Sequence, residues 1–218
     1  MFKRPVTGFL STLSIGLLAA CSSTPHTPVA SQTDPVDVTA YAPKVDAFVV
    51  LMDTSSSMQE DGKLEAAQDL VATFNSAVPA LPFEAGLITF GSTTVTCVSN
   101  GTGVNTTYGP TTFNTGDFAN AISDIDCAGG TTPMANGIDG ATSELASQSG
   151  PTAVFIVSDF KWIDAPAVTA AVAKLKAQHG NNVCLHTIKI GDDTSGDTLI
   201  TDITDSAAGC DSAVGAGD

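Results

Sequence analysis

Asp53, Ser55 and Ser57 place one carboxylate and two hydroxyls at alternate positions of the stretch DTSSSM. Oxygen donors at this spacing, on a loop leaving a buried strand, can converge on one point. A set of hard oxygens suits a hard divalent cation, Mg2+ first and Mn2+ or Ca2+ as alternatives. The rival reading is that these residues only cap the helix that follows, as Ser and Asp often do. Catalysis is poorly supplied. A serine hydrolase needs a nucleophile, a base and an orienter, but the chain has no G-x-S-x-G elbow and, past the leader and linker, only His179 and His186. An aspartyl-nucleophile phosphatase wants a second Asp two residues after Asp53, where Ser55 stands. The expectation is therefore a non-enzyme; the alternatives are a structural protein whose metal site is incidental and, behind it, a hydrolase.

The elements around this stretch must hold it still. Residues 47–52, AFVVLM, form a short apolar run ending sharply at Asp53, the pattern of a strand buried on both faces. A helix is expected over residues 63–78, where Leu64, Ala67, Val71, Phe74 and Val78 recur at three and four, and Pro79 and Pro82 stop it. Residues 83–90 read as a second strand. Residues 93–98 read as a third, joined to it by a Gly91-Ser92 turn as a hairpin. Residues 100–116, rich in Gly, Asn and Thr, read as a long loop. Short helices are expected over 117–125 and from Thr132 as N-cap and Pro133 at the first position to about residue 146. A buried strand at 152–157, a helix at 164–179 stopped by Gly180, a strand at 182–190 and a helix at 197–207 complete the pattern. Strands alternating with helices imply an α/β fold, a doubly wound, mostly parallel sheet with one antiparallel edge strand and helices on both faces. In such sheets the working site lies at the carboxyl ends of the strands.

VDAFVVLMDTSSSM resembles the first metal-binding motif, Asp-x-Ser-x-Ser, of the von Willebrand factor type A family. GGTTPMANGI at residues 129–138 resembles the family's Thr loop, and VFIVSDF at 154–160 its strand-end Asp, in the family's order. The resemblance spans residues 45–212. It implies a metal-ion-dependent adhesion site in which Ser55 and Ser57 bind the cation through their hydroxyls, Thr131 binds it directly when a ligand is present, and Asp53 and Asp159 hold it mainly through water. Thr132 is assigned to the helix cap. The implied partner is a protein offering an Asp or Glu carboxylate to the cation. Tyr108 and Phe113 from the long loop, with Phe160 and Trp162, are expected to form an apolar rim. Two positions depart from the family pattern: Ser56 and Phe160 stand where Gly is common. A non-Gly residue is costly there if the backbone needs a positive φ.

The remaining features concern location. The chain carries 8 basic and 23 acidic residues, a net charge of −15, and its single Arg is Arg4. Such a surface repels nucleic acid, which is not an expected partner. Residues 1–21 have a positive start, an apolar middle and the ending LLAAC, a secretory signal. Leu18 to Cys21 resembles a bacterial lipobox, which implies lipidation of Cys21 and a membrane-anchored envelope lipoprotein. Ser22 after the cysteine implies the outer membrane. Residues 22–44, with four prolines among Ser, Thr and Ala, are expected to be an extended, mobile tether, leaving 45–218 as the domain. Four cysteines remain, Cys97, Cys127, Cys184 and Cys210, with three possible connectivities. Cys97–Cys127 and Cys184–Cys210 are favoured, the first clipping the long loop and the second fastening the chain end to the last strand.

Overall fold

The structure is a computed structural model that describes residues 26–30, 43–79, 81–91, 103–204 and 210–216. Six strands form one sheet in the order β3-β2-β1-β4-β5-β6, with β1 Ala47–Asp53, β2 Glu84–Phe90, β3 Val104–Thr112, β4 Thr152–Ser158, β5 Val183–Ile190 and β6 Ser212–Ala216. Among the described strands only β3 is antiparallel to its neighbour. Among the described residues five α-helices surround the sheet: α1 Lys63–Ala77, α2 Thr115–Ser123, α3 Met134–Glu144, α4 Ala165–His179 and α5 Asp197–Thr204. This is the expected doubly wound architecture with one antiparallel edge strand.

The apolar run of β1 explains its central place. Ala47, Val49 and Leu51 point into the layer under α3, α4 and α5. Phe48, Val50 and Met52 point into the layer under α1 and α2. Every residue of β1 is buried. The chain winds outward from β1 to β2 and β3, then returns to β4 on the other side of β1. The crevice of such a sheet opens where the winding reverses, at the carboxyl ends of β1 and β4. Asp53 ends the first of these strands and Asp159 follows the second.

Four expectations need correction. Residues 104–112 are not loop but the edge strand β3. Its Gly109 and Pro110 hid it, yet an edge strand tolerates both, and the β2–β3 ladder absorbs them with register shifts at Ala85/Leu87 and Leu87/Ile88. Thr107 Oγ1 also donates to the Leu87 carbonyl at 3.0 Å. The predicted strand at 93–98 and its hairpin lie outside the described residues. The helix start at 132–134 is one residue late: Pro133 is the N-cap, and the Thr132 carbonyl accepts from Met134 N, so the Thr132 hydroxyl is not the cap. The tether is docked at residues 26–30, where Asp69 Oδ1 of α1 accepts from Val29 N at 2.6 Å and lies 2.9 Å from His26 Nε2. Finally, β6 is an unpredicted parallel edge strand, held to β5 by the Cys184–Cys210 disulfide. Asp211 supports it, accepting from Leu185 N at 2.8 Å and Lys176 Nζ at 2.6 Å. Cys127 is disulfide-bonded; Cys97, its expected partner, and Cys21 lie outside the described residues. Among the described residues no helix is long and apolar enough to cross a membrane.

Candidate functional site

Asp53 is fully buried at the end of β1. Its Oδ1 accepts from Ser55 N at 2.8 Å, which folds the chain back so that both serine side chains follow the carboxylate. Its Oδ2 accepts from Ser158 Oγ on β4. Burial pushes the Asp53 carboxyl up from its ordinary 3.8 to about 6, against the pull of the Ser158 and Ser55 hydrogen bonds, with a small further push from Asp159. Ser55 Oγ lies 3.2 Å from Ser57 Oγ, and Ser57 Oγ donates to Asp159 Oδ1 at 3.1 Å. Four of the five expected ligands therefore form one continuous buried chain of oxygens across two strands.

The loop after β4 wraps around Asp159. Its Oδ1 also accepts from Lys161 N at 3.1 Å, and Phe160 N donates to Ser158 Oγ at 2.9 Å. Phe160 and Trp162 both take φ of 56°, a left-handed backbone that costs a non-glycine residue about 1–2 kcal/mol. The departure from Gly at 160 is thus strained, while Ser56 is not among the positive-φ residues. Gly196 permits the strained loop to close: a Cβ there would lie 2.3 Å from Phe160 Cβ. Burial of the Phe160 ring, 2 % exposed in the layer under α3–α5, offsets the strain.

The fifth expected ligand, Thr131, is brought alongside but not into the oxygen chain. Its loop is tied to the first one by backbone bonds, Gly129 N to Thr54 O at 2.7 Å and Ser56 N to Gly130 O at 3.1 Å. Thr131 itself is exposed beside these contacts.

The expected rim is largely wrong. Tyr108 lies on β3, its ring 5.1 Å from Phe118, its hydroxyl donating to Thr112 O and accepting from Asn114 N. Phe113 packs 5.5 Å from Phe48 and 5.7 Å from Phe118. Both belong to the aromatic layer beneath α1 and α2, because aromatic rings carry too much apolar area to leave in water when a core lies within reach. Phe160 is buried as described. Trp162 alone of the four stands out, 86 % exposed. His186 is a packing residue, stacked on Phe155 at 5.0 Å and 2.7 Å from Ser212 Oγ.

One residue in contact with the site went unread in the sequence. Lys63, the first residue of α1, is buried, and its Nζ lies 3.0 Å from Asp159 Oδ2 and 3.4 Å from the Ser57 carbonyl. Lys161, the cation adjacent to Asp159 in sequence, points elsewhere. It pairs with Glu60 at 3.1 Å and Asp193 at 3.5 Å, and the Glu60 hydrogen bond pushes it up to about 12. The signal for Lys63 was its position: a cation in the first turn of a helix opposes the macrodipole and needs a partner elsewhere.

The donor set fits a hard cation. Two carboxylates and two hydroxyls converge, and an ammonium already sits against one of the carboxylates. Among the described residues no group of three or more His, Cys, Asp or Glu gathers at one place, so a cation here would rely on hydroxyl oxygens as well as the two carboxylates.

Comparison with known proteins agrees with this fold. No curated protein matches the chain. Among solved structures, a von Willebrand factor type A protein from Catenulispora acidiphila superposes with a TM-score of 0.62 at 15% identity, covering 80% of this chain and 39% of that one. Proximal thread matrix protein 1 from the mussel byssus gives 0.62 at 21% identity, covering 79% and 44%. The manganese-loaded TRAP protein of Plasmodium vivax gives 0.59 at 15% identity, covering 79% and 69%. The chain thus spans less than half the length of the first two, and at these identities the likeness is one of fold. The model of the von Willebrand factor type A domain matches residues 48–161, which contain all of β1 but Ala47, the Thr131 loop and Asp159. With the doubly wound sheet and the oxygen chain at its switch point, this places the protein in the von Willebrand factor type A domain family.

Proposed function

We propose that this domain is a non-enzymatic, metal-dependent protein-binding module. Type A domains are interaction modules, and here Asp53, Ser55, Ser57, Thr131 and Asp159 are the residues that would hold a divalent ion, Mg2+ first, with Mn2+ or Ca2+ as alternatives. The ion would supply an electrophile that a partner's Asp or Glu carboxylate can reach. The observation that carries the reading is the buried chain Asp53, Ser55, Ser57, Asp159 at the carboxyl ends of β1 and β4. The manganese-loaded state of the TRAP neighbour supports it.

The chain's own residues do three things. Ser158 and Ser55 N fix Asp53, so its carboxylate cannot turn away. Lys161 N and Ser57 fix Asp159 Oδ1. The exposed Thr131 and Trp162 flank these buried groups and are free to meet a partner. Long-range repulsion from a domain of this acidity opposes an acidic ligand, so capture requires a focal positive charge, and its charge-assisted bond to a carboxylate is short and directional. The module would be anchored in a bacterial envelope, on the outer membrane, through lipid at Cys21.

The test is capture of envelope proteins by the purified domain, with and without chelator. Capture should require a divalent ion, disappear in Thr131→Ala and Asp159→Ala with the fold intact, and disappear when one partner Asp or Glu becomes its amide. Capture that persists in chelator, with both variants binding normally, would show that this site is not the recognition site.

A further inference from the structure

Lys63 is a charged side chain in the site that cation binding does not use. Its ammonium touches Asp159 Oδ2 at 3.0 Å and stands 3.4 Å from Glu60 Oε2 at the surface. Everything local disfavours it there. The N-terminus of α1 repels a cation, and burying an ammonium carries a desolvation cost. The lysine stem runs beside Gly191, where an added Cβ would sit in ordinary contact, 3.4 Å from Cε. Two carboxylates, Asp53 and Asp159, are fully buried within one oxygen chain. Two ionised carboxylates so placed repel each other, and a positive charge beside them relieves that repulsion.

We propose that Lys63 is the resident counter-cation of this site, neutralising Asp159 when no metal is present, and that a divalent ion gains the site by displacing it. The inference rests on the cation-binding reading above and adds a competitor to it. A divalent ion engaging Asp159 and Ser57 would meet Nζ within bonding distance of the same carboxylate, and two cations so close in a dry site repel. The displaced ammonium has somewhere to go. Glu60 is already within 3.4 Å, and Lys63 borders a cleft of about 510 Å3 lined also by Asp61 and Asp192. The lysine therefore has an inner acceptor and a set of outer ones. Its presence lets the domain fold without metal and weakens metal binding relative to what the oxygen set alone would give.

The test uses Mn2+ as probe and the full domain. By calorimetric titration, Lys63→Met, which keeps most of the stem and loses the charge, should bind Mn2+ at least about ten-fold more tightly than wild type, since it removes a buried competing charge. Binding by both proteins with equal affinity overturns the displacement and leaves the metal reading standing. Binding by the variant alone upholds the displacement and shows that wild type keeps the site closed to metal. Binding by neither overturns both. A second measurement needs no variant. Lys63 should resist an amine-acylating reagent in chelator, relative to the exposed Lys174, and become reactive on addition of Mn2+. Unchanged protection of Lys63 while Mn2+ binding is seen by calorimetry overturns the proposal.

Discussion

Asp53→Asn should stabilise the metal-free protein at pH 8, although it removes a residue at the centre of the candidate site. Asp53 is fully buried, and its carboxyl is pushed from an ordinary 3.8 to about 6. A folded value above the unfolded one means that the ionised group opposes folding. The penalty is absent below pH 3.8, grows as pH rises, and is complete above about pH 6. At about 1.36 kcal/mol per pH unit it reaches about 3 kcal/mol. The amide removes that penalty but not freely. Its oxygen can still accept from Ser55 N, whereas its NH2 faces Ser158 Oγ, which already accepts from Phe160 N. The Ser158 hydroxyl hydrogen then loses its acceptor, at about 1–2 kcal/mol. The net gain is about 1–2 kcal/mol, a rise in melting temperature of roughly 2–8 °C for a domain this size. Melting both proteins in chelator at pH 8 and pH 4 checks this. The gain should be present at pH 8 and gone or reversed at pH 4. Added Mg2+ should invert the order at pH 8 by stabilising wild type alone. A variant that melts lower than wild type by the same margin at both pH values would refute the argument that burial of this charge is costly.

Three further outcomes are expected. Removing the Cys184–Cys210 bridge, which closes a separation of 26 residues, with Cys184→Ser and Cys210→Ser together should cost about 3–4 kcal/mol by chain entropy, read as a lower denaturant midpoint. Gly196→Ala places a Cβ 2.3 Å from Phe160 Cβ. It should destabilise by about 1–3 kcal/mol and weaken Mn2+ binding, because the loop that overpacking displaces also holds Asp159. Trp162→Gly removes left-handed strain at a side chain that is 86 % exposed. It should melt no lower than wild type, with a gain of up to about 1 kcal/mol, and should weaken capture of envelope proteins by the purified domain.

What the sequence made legible was whatever a single segment decides. β1 could be read because a strand buried on both faces must be apolar throughout, and the Asp-x-Ser-x-Ser run because its spacing lies within one loop. β3 and β6 could not be read on the same terms. The first carries Gly109-Pro110 and five threonines or asparagines, and the second is SAVGA, small and mostly exposed. Edge strands owe their place to a neighbour's free hydrogen bonds more than to their own apolar content. The rim failed for a related reason. Tyr108, Phe113 and Phe160 sit in polar surroundings in the chain, but nothing in those surroundings reveals that Phe48, Phe118 or α5 stands within reach of their rings. Lys63 is the sharpest case. It lies 96 residues from Asp159, and no spacing rule joins them. What marks it is a local misfit, a buried cation where a helix end repels one. Residues at odds with their own segment are therefore the places where another segment must be supplying the reason, and in this chain two such misfits, Lys63 at the helix start and Phe160 at positive φ, lie beside the same carboxylate.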